Sequence, residues 1–268
     1  MSGFEAFILG LVQGLTEFLP VSSSGHLMIA RDLLGVDASG FLDFTVTVHF
    51  ATVLSTIIVF WSAILQIVKG VFKFKYNDET DYFFKLCLSM VPVAIVGVFF
   101  KDSVEGLFGD TLGTVGVCLL ITAVLLVLAT VYSPRRPNAS RNGISWWQAL
   151  VVGVGQSFAV APGLSRSGTT IATGLLTGVK KDNMAQFSFL MVLIPIIGEQ
   201  SLDIFKALKG TVPFGEGVGI LPLALGFAAA FLSGLFACKV MINIVKKARF
   251  TWFALYCAAV GVLLLIFG

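Results

Sequence analysis

The sequence contains little charge and few of the side chains that build metal or redox centres. Only 12% of its 268 residues are charged and 57% are hydrophobic, whereas a soluble domain of this length has about twice that charge. The four cysteines are far apart in apolar segments, which excludes a metal or redox motif. A net charge of +3, scattered along the chain, excludes nucleic acid as a partner. We therefore predict an all-α integral membrane protein.

Six apolar stretches are long enough to cross a bilayer, which takes about 20 residues. They lie at 44–66, 83–100, 111–132, 184–206, 218–241 and 251–267. Two further segments, 3–34 and 146–179, are interrupted by proline and glycine, with hydroxyls, amides and charges at the interruption. Interrupted segments at matching places in two halves indicate a site lined by half-helices. We predict that both fold as re-entrant helical hairpins.

One short pattern of residues occurs twice in the chain, 143 positions apart. The recurring pairs are Ala6/Ala149, Gly10/Gly153, Gln13/Gln156, Ser22/Ser165, Ser24/Ser167 and Gly25/Gly168. We predict a single membrane domain, 1–268, made of repeat 1 (about 1–133) and repeat 2 (about 146–268). Each repeat has one hairpin and three spans, and the odd number of spans inverts the second repeat relative to the first.

The basic residues predict the orientation of the chain. With both termini outside, the cytoplasmic loops contain Lys69, Lys73, Lys75, Arg135, Arg136, Arg141, Lys180, Lys181, Lys246, Lys247 and Arg249. The outer loops contain only Lys101, Lys206 and Lys209, beside Asp102, Glu105, Asp110 and Glu216. This asymmetry follows the positive-inside rule. We predict that both termini face outside and that the hairpins enter from opposite sides, with their turns meeting inside the membrane.

The two copies of the pattern differ in the residues that could carry out chemistry. Glu17, Ser23 and His26 of the first copy correspond to Val160, Arg166 and Thr169 of the second. A carboxylate in a membrane is costly and usually functional. Gln13 lies four residues before Glu17, on the same helix face. Because Gln13 recurs without an acidic partner, a structural role for it is as well supported as a catalytic one.

The turn of the first hairpin combines serines and a histidine at the start of a helix. Ser22 and Ser24 occur in both copies and are typical of helix caps, whereas Ser23 and His26 occur only in the first. A histidine three residues after a serine can act as an acid, a base or a nucleophile near neutral pH. The free N–H groups of the helix start also form a site for an anion. We predict a reactive site here.

Arg166 supplies the complementary charge at the turn of the second hairpin. Ser165, Ser167 and Thr170 flank it, and a guanidinium surrounded by hydroxyls and helix N–H groups matches phosphate oxygens. The alternative is an ion pair with Glu17 that neutralises both charges, and the two arrangements are compatible in the empty site. A lone carboxylate beside phosphate oxygens also suits a divalent cation, Mg²⁺ or Ca²⁺, bound together with the substrate.

Two long motifs resemble the signature regions of a known family. They are Gln13-Gly-Leu-Thr-Glu-Phe-Leu-Pro-Val-Ser-Ser-Ser-Gly-His26 and Pro162-Gly-Leu-Ser-Arg-Ser-Gly-Thr-Thr-Ile171. The family is that of the bacterial undecaprenyl-diphosphate phosphatases, or bacitracin-resistance proteins, and the resemblance extends over the whole chain. It implies hydrolysis of undecaprenyl diphosphate to undecaprenyl phosphate and inorganic phosphate at the outer face of the plasma membrane. This reaction recycles the lipid carrier of cell-wall synthesis, and the resemblance also implies a divalent metal.

The resemblance implies a role for several positions. Glu17, Ser23, His26 and Arg166 match catalytic positions, and Ser165, Ser167 and Thr170 match phosphate-binding ones. We expect Gln13 and Ser22 to contact the diphosphate as well, and Glu17 to bind the metal. Gln13 stands where many members have a first glutamate, and an amide is a poorer metal ligand that cannot act as a base. The acidic role therefore falls on Glu17 alone.

Several alternatives stay open at this point. The nucleophile is either Ser23, activated by His26 or Glu17, or a water activated by Glu17 or His26. A polyprenyl-phosphate flippase is an alternative function because inverted repeats with paired hairpins occur in transporters. Small-residue pairs, Gly10/Gly14 among them, are too common here to establish a homodimer. Glu199 and Asp203 have no assigned role, and we expect His49 to be a satisfied core histidine.

Overall fold

The computed structural model describes residues 1–37, 40–100, 111–134, 141–161, 163–208, 218–247 and 250–268. Within these ranges, the side chains of residues 141, 194–196, 198–208 and 245–247 are not described. The described residues form eleven α-helices and no strand, which confirms the all-α class. Of the residues used to predict orientation, Lys101, Arg135, Arg136, Lys209, Arg249 and the four outer acids lie outside the described ranges.

The helices follow one another with short connections. They are α1 (Gly3–Thr16), α2 (Ser23–Leu34), α3 (Phe41–Val59), α4 (Trp61–Val71), α5 (Asp78–Phe99), α6 (Leu112–Tyr132), α7 (Trp146–Phe158), α8 (Arg166–Leu176), α9 (Lys181–Leu208), α10 (Ile220–Lys247) and α11 (Thr251–Phe267). A 3₁₀ turn, Arg141–Gly143, precedes α7. Among the described residues, α3, α5, α6 and residues 220–244 of α10 are long and apolar enough to cross a membrane. Helices α1, α4 and α11 are apolar but shorter.

The first predicted span, 44–66, is interrupted in the structure. α3 ends and α4 begins on either side of Phe60, whose backbone leaves the helical region with φ −97° and ψ 14°. The Thr56 hydroxyl donates to a carbonyl one turn earlier (2.9 Å), an arrangement that bends helices. The Phe60 ring packs against Phe189 of α9, with ring centroids 5.9 Å apart. The predicted stretch 44–66 is therefore divided between α3, which is long enough to span a membrane, and α4.

Both predicted hairpins are pairs of short helices. α1 and α2 cover the segment 3–34, and α7 and α8 cover the segment 146–179. Each pair begins with a capping box, in which a serine side chain accepts from the third residue of the helix while that residue's side chain accepts from the serine backbone. The two boxes, Ser2 with Glu5 and Ser145 with Gln148, occupy equivalent repeat positions. The first helices of the two copies therefore begin in the same way.

Equivalent glycines place each hairpin against the other half of the chain. α1 packs along α10, and α7 packs along α5. A methyl group at Gly10 of α1 would collide with the Gly226 carbonyl of α10, and one at Gly153 of α7 with the Ser89 carbonyl of α5. Gly10 is thus used inside the chain and is not free to form a dimer contact. The two halves therefore pack against each other through glycines at equivalent positions of the two repeats.

Contacts gather several helix ends at one end of the bundle. Asn142 Nδ2 donates to the Asp78 carbonyl (2.8 Å), which joins the turn before α7 to the start of α5. Asn183 Nδ2 of α9 donates to the carbonyl of the next residue in that turn (3.4 Å). The Lys181 ammonium lies over the Phe250 ring, 5.4 Å from its centroid, and joins α9 to the start of α11. Helix ends beside the connections predicted to be cytoplasmic are therefore in contact with one another.

Candidate active site

A cleft opens where the turns of the two hairpins face α3 and α9. Its polar lining consists of Glu17, Ser22, Ser23, Ser24, Thr52, Thr56, Ser165, Arg166, Ser167 and Ser188. Apolar side chains, among them Phe18 and Phe189, complete the walls. Both motifs that the sequence singled out thus contribute to one cavity.

The Glu17 carboxylate is the centre of the polar network. It stands at the end of α1, and its side chain is only 11% exposed. Oε2 accepts hydrogen bonds from Gln13 Nε2 (2.8 Å) and Ser23 Oγ (2.5 Å). Oε1 accepts from Arg166 Nη2 (3.1 Å). A buried carboxylate needs such partners, and three of the residues predicted for the site supply them.

Ser23 is the serine that contacts the carboxylate. It is the first residue of α2 and is buried. Its hydroxyl donates to Glu17 and not to His26, so the structure pairs the candidate nucleophile with the acid. This contact supports Glu17 as the group that activates Ser23.

The two hairpin turns are joined directly. The Arg166 guanidinium, at the start of α8, forms the ion pair with Glu17. Ser167 Oγ donates to the Leu19 carbonyl of the first turn (3.0 Å). The predicted meeting of the turns is confirmed as a contact. The ion pair that sequence reasoning offered as an alternative for Arg166 is present in this state.

Equivalent serines cap the two helices that point into the cleft. Ser22 Oγ accepts from the Gly25 amide (3.3 Å), and Ser165 Oγ accepts from the Gly168 amide (3.0 Å). Ser22 has φ 69°, a conformation that is uncommon for residues other than glycine and clusters at functional sites. The remaining N–H groups of both helix starts are available to an anion.

His26 lies apart from the Glu17–Ser23 pair. Its Nδ1 is 2.8 Å from the Ser22 carbonyl oxygen, and its Nε2 is 2.7 Å from the Tyr256 hydroxyl of α11. It does not line the cleft. The structure therefore separates the histidine from the serine with which the motif associates it.

Gln13 and Thr170 stand behind the cleft rather than in its wall. Gln13 is fully buried and orients Glu17 through its amide nitrogen. The Thr170 hydroxyl contacts Ser188 Oγ of α9 (2.6 Å), and Ser188 does line the cleft. Both residues support the wall from outside, which differs from the substrate contact expected of them.

Sequence reasoning missed His49 and Tyr256. His49 Nδ1 donates to the Thr45 carbonyl (2.9 Å), while Nε2 faces Glu17 Oε2 at 3.8 Å. The ring is hydrogen-bonded, as we expected of a satisfied histidine, and it also lies in the surroundings of the carboxylate. Neither residue lies near a motif, so no local signal marks it.

Two sets of predicted residues cannot be placed. Glu199 and Asp203 lie in α9, but their side chains are outside the described residues. Pro162 of the second motif is also outside them. The structure therefore tests no role for these three residues.

The described residues contain no cluster of three or more His, Cys, Asp or Glu side chains that could hold a metal by themselves. Gln13 Oε1 is buried beside Glu17 without a hydrogen-bond partner among the described residues. The Glu17 carboxylate, which does line the cleft, is a hard ligand that suits Mg²⁺ or Ca²⁺ when substrate oxygens complete the shell. The residues fit a cation shared with the substrate.

The chain is similar in sequence to known proteins. Residues 6–263 match the family model described as bacitracin resistance protein BacA. The chain belongs to the BacA family. The predicted family is confirmed.

Relatives in the BacA family have one name in common. The undecaprenyl-diphosphatase of Parabacteroides distasonis is 54% identical over 261 residues, covering 97% of this chain and 96% of the relative. That of Bacteroides thetaiotaomicron is 53% identical over 266 residues, covering 99% of each. That of Christiangramia forsetii is 46% identical over 271 residues, covering 100% and 99%. The similarity therefore includes both hairpins and the cleft of this BacA protein.

Proposed function

We propose that this chain is a multi-pass membrane enzyme that hydrolyses undecaprenyl diphosphate to undecaprenyl phosphate and inorganic phosphate. The observation that carries the proposal is the 2.5 Å hydrogen bond from Ser23 Oγ to Glu17 in a cleft that also contains Arg166. A nucleophile, a base and a phosphate ligand are the groups that phosphoryl transfer requires. The similarity to undecaprenyl-diphosphatases supports the substrate.

The first chemical step uses the Ser23–Glu17 pair. Glu17 accepts the hydroxyl proton while Ser23 Oγ forms a bond to the terminal phosphorus. The bond from that phosphorus to the bridging oxygen breaks, and its electron pair leaves with undecaprenyl phosphate. The product of this step is a phosphoserine at position 23.

The second step releases inorganic phosphate. Glu17 loses its proton to the departing undecaprenyl phosphate, and water then attacks the phosphoserine while Glu17 accepts the proton of that water. Glu17 returns its own proton to Ser23 Oγ as the serine–phosphorus bond breaks. His26 takes no part in these transfers, because it does not line the cleft and both of its ring nitrogens are bonded to other groups.

Arg166 and the two helix starts bind the diphosphate. Arg166 is paired with Glu17 at 3.1 Å, yet 31% of its side chain remains exposed. A phosphate that enters the cleft competes for the guanidinium, whose fork of donors matches two phosphate oxygens. The capped helix starts at Ser22 and Ser165 add N–H donors and the positive end of the helix dipole.

A divalent cation completes the proposed site. Glu17 would hold it together with substrate oxygens. When bound, the cation supplies neutralisation of phosphate charge. Every proton transfer above remains with side chains of the protein.

We further propose the predicted membrane architecture: six spans, two re-entrant hairpins and an inverted repeat, with both termini on the periplasmic side of the inner membrane. Support comes from the shared capping boxes and from the equivalent glycines that pack α1 on α10 and α7 on α5. The contacts that join helix ends near Asn142 and Phe250 support a common side for the basic connections. In this orientation the enzyme recycles the lipid carrier of cell-wall synthesis at the outer face.

The decisive experiment follows phosphate release from a long-chain prenyl diphosphate by detergent-purified protein. The substrate has its terminal phosphate radiolabelled, and Ser23→Ala, Ser24→Ala and Glu17→Ala are compared with the wild type. We expect release that requires a divalent cation, that is lost in the Ser23 and Glu17 variants and that is retained in the Ser24 variant. A labelled phosphoserine in rapidly quenched wild-type protein would identify Ser23 as the nucleophile.

Two outcomes would change the proposal. Release without a trapped phosphoserine, retained in Ser23→Ala but lost in Glu17→Ala, would assign the attack to water activated by Glu17. Well-folded protein that binds the lipid but releases no phosphate would favour the flippase.

A further inference from the structure

We infer that Ser188 of α9 is a further ligand of the diphosphate, and that its hydroxyl donates to a phosphate oxygen of the bound substrate. The inference rests on the proposed function, because it adds a contact to the phosphate site of that mechanism. Ser188 belongs to neither motif, yet it lines the cleft together with Arg166 and Ser167. The residue is 0% exposed, and a hydroxyl at this depth needs a hydrogen-bond partner.

The hydroxyls that line the cleft from outside the two motifs differ in where their protons go. They belong to Thr52, Thr56 and Ser188, and each has one proton to donate. Thr52 donates to the His49 carbonyl (2.7 Å), and Thr56 donates to the Thr52 carbonyl (2.9 Å). The hydroxyl of Ser188 contacts no described backbone carbonyl, and its partner is the Thr170 hydroxyl at 2.6 Å. The backbone therefore holds the protons of both threonines but not that of Ser188.

The other contacts of Thr170 make Ser188 the donor of this pair. The Thr170 hydroxyl lies 2.9 Å from the Arg166 carbonyl and 3.3 Å from the Ser167 carbonyl. Because a carbonyl oxygen only accepts, Thr170 donates its single proton to these carbonyls and accepts from Ser188. The Ser188 proton is thus directed at an uncharged hydroxyl.

A phosphate oxygen is a stronger acceptor than the Thr170 hydroxyl. Hydrogen bonds to an ionised group are about twice as strong as those between neutral groups. Rotation about the Cβ–Oγ bond of Ser188 redirects its proton to a phosphate without any movement of α9. Thr170 keeps its own hydrogen bond to the Arg166 carbonyl, so no donor is left without an acceptor.

The position of Ser188 also explains the second motif. The resemblance assigns phosphate binding to Thr170, but the structure directs that hydroxyl at carbonyls behind the cleft. Ser188 is the hydroxyl of this pair that reaches the cleft, one helical turn of α8 from Arg166. The other α9 residues of the wall, Phe189, Val192 and Leu193, are apolar. A phosphate beside α9 therefore finds its donor at position 188.

The test measures the affinity of a non-hydrolysable prenyl methylene-diphosphonate for detergent-purified Ser188→Ala. Loss of one hydrogen bond to a charged group corresponds to about 10–100-fold weaker binding. We expect at least about tenfold weaker binding, with kcat/KM for the natural diphosphate lowered by a similar factor. Ser157→Ala is the matched control and should bind like wild type, because that hydroxyl lies outside the cleft and donates to a carbonyl of its own helix.

A second variant and a second ligand exclude general damage to the protein. Ser188→Cys nearly keeps the volume of the side chain but supplies only a weak donor, so its affinity should also fall while its Tm stays near that of wild type. A prenyl alcohol of the same chain length should bind Ser188→Ala as tightly as wild type. Equal weakening for the alcohol and the diphosphonate would overturn the inference, since the loss would not depend on phosphate.

A double-mutant comparison separates contact with phosphate from support of Thr170. Thr170→Val keeps the shape of the side chain and removes the hydroxyl that accepts from Ser188. If Ser188 contacts phosphate, Ser188→Ala weakens binding by a similar factor in the wild-type and Thr170→Val backgrounds. An effect that disappears in the Thr170→Val background would mean that Ser188 acts only through Thr170, and would overturn the inference.

One further variant distinguishes failure of this inference from failure of the proposed function. Arg166→Ala should bind the diphosphonate more weakly than wild type. If it binds as tightly as wild type, the phosphate site of the proposed function fails, and the inference fails with it. If Arg166→Ala is impaired but Ser188→Ala matches Ser157→Ala, only the inference about Ser188 is overturned.

Discussion

Replacing Glu17 with glutamine separates two tasks of this carboxylate, which activates Ser23 in the proposed mechanism and is paired with Arg166 in the structure. Glutamine keeps the shape but removes the charge and the capacity to act as a base. We expect Glu17→Gln to lose turnover and, unlike most active-site variants, to bind a diphosphate more tightly than the wild type.

The magnitudes follow from the contacts. Loss of a positioned base lowers kcat by about 10²–10⁴. At 3.1 Å and an effective dielectric constant of about 20, the Glu17–Arg166 attraction is about 5 kcal/mol. Solvent screens this attraction because 31% of the Arg166 side chain is exposed. The free energy of one charged hydrogen bond, about 1.5 kcal/mol, is therefore the better value for the ion pair. Relief from that pair corresponds to about tenfold tighter binding.

The assay measures binding and turnover separately. Affinity is measured with a prenyl methylene-diphosphonate, which cannot be hydrolysed, in the presence of a chelator so that a cation held by Glu17 does not contribute. Turnover is measured with the natural diphosphate and Mg²⁺. Glu5→Gln is the matched control on the same helix, since Gln148 already forms the equivalent capping box in the second repeat.

Two results would refute the reasoning. Weaker binding of the diphosphonate to Glu17→Gln than to wild type would mean that Glu17 does not restrain Arg166. A kcat within tenfold of wild type would exclude Glu17 as the base.

Three further predictions concern the cleft and the packing of the repeats. Arg166→Lys keeps the charge but loses the paired donors, so kcat/KM should fall about 10–100-fold in the phosphate-release assay. His49→Gln should lower kcat about two- to fivefold, because the 3.8 Å contact with Glu17 is longer than a hydrogen bond. Gly10→Ala and Gly153→Ala should each destabilise the protein by about 1–3 kcal/mol through overpacking, seen as a lower Tm in detergent.

The arginine and glycine substitutions have controls in the same chain. Arg31→Lys alters an arginine that lies over the Phe41 ring, 5.1 Å from its centroid, and should leave phosphate release unchanged. Gly97→Ala places a methyl group in open space and should keep the wild-type Tm. Equal effects of Gly97→Ala and Gly10→Ala would contradict close packing as the cause. Full activity of Arg166→Lys would contradict a forked contact with phosphate.

The local parts of the fold could be predicted from the sequence because their causes lie within a few residues. The hairpin helices end and begin where proline, glycine and serine caps occur, and the structure has them within the predicted segments 3–34 and 146–179. The break at Phe60 could not be predicted, since an apolar run shows no interruption there and the ring's partner, Phe189, is far along the chain.

The residue types of the site were also readable from the sequence. Charged and reactive side chains are rare in so apolar a chain, so Glu17, Ser23 and Arg166 stand out, and all three meet in one cleft. The family motifs added the expectation of a diphosphate substrate. The family match confirms the resemblance on which that expectation rests.

Which of these residues contact one another was decided only by the tertiary structure. Ser23 and His26 are three positions apart, yet Ser23 bonds to Glu17 and His26 bonds to Tyr256 of the last span. Side-chain partners depend on how helices rotate and cross, and a rotation of one residue changes which groups face each other. Spacing along the chain determined the helices and their reactive groups, whereas packing between distant helices determined the pairs that give those groups a role.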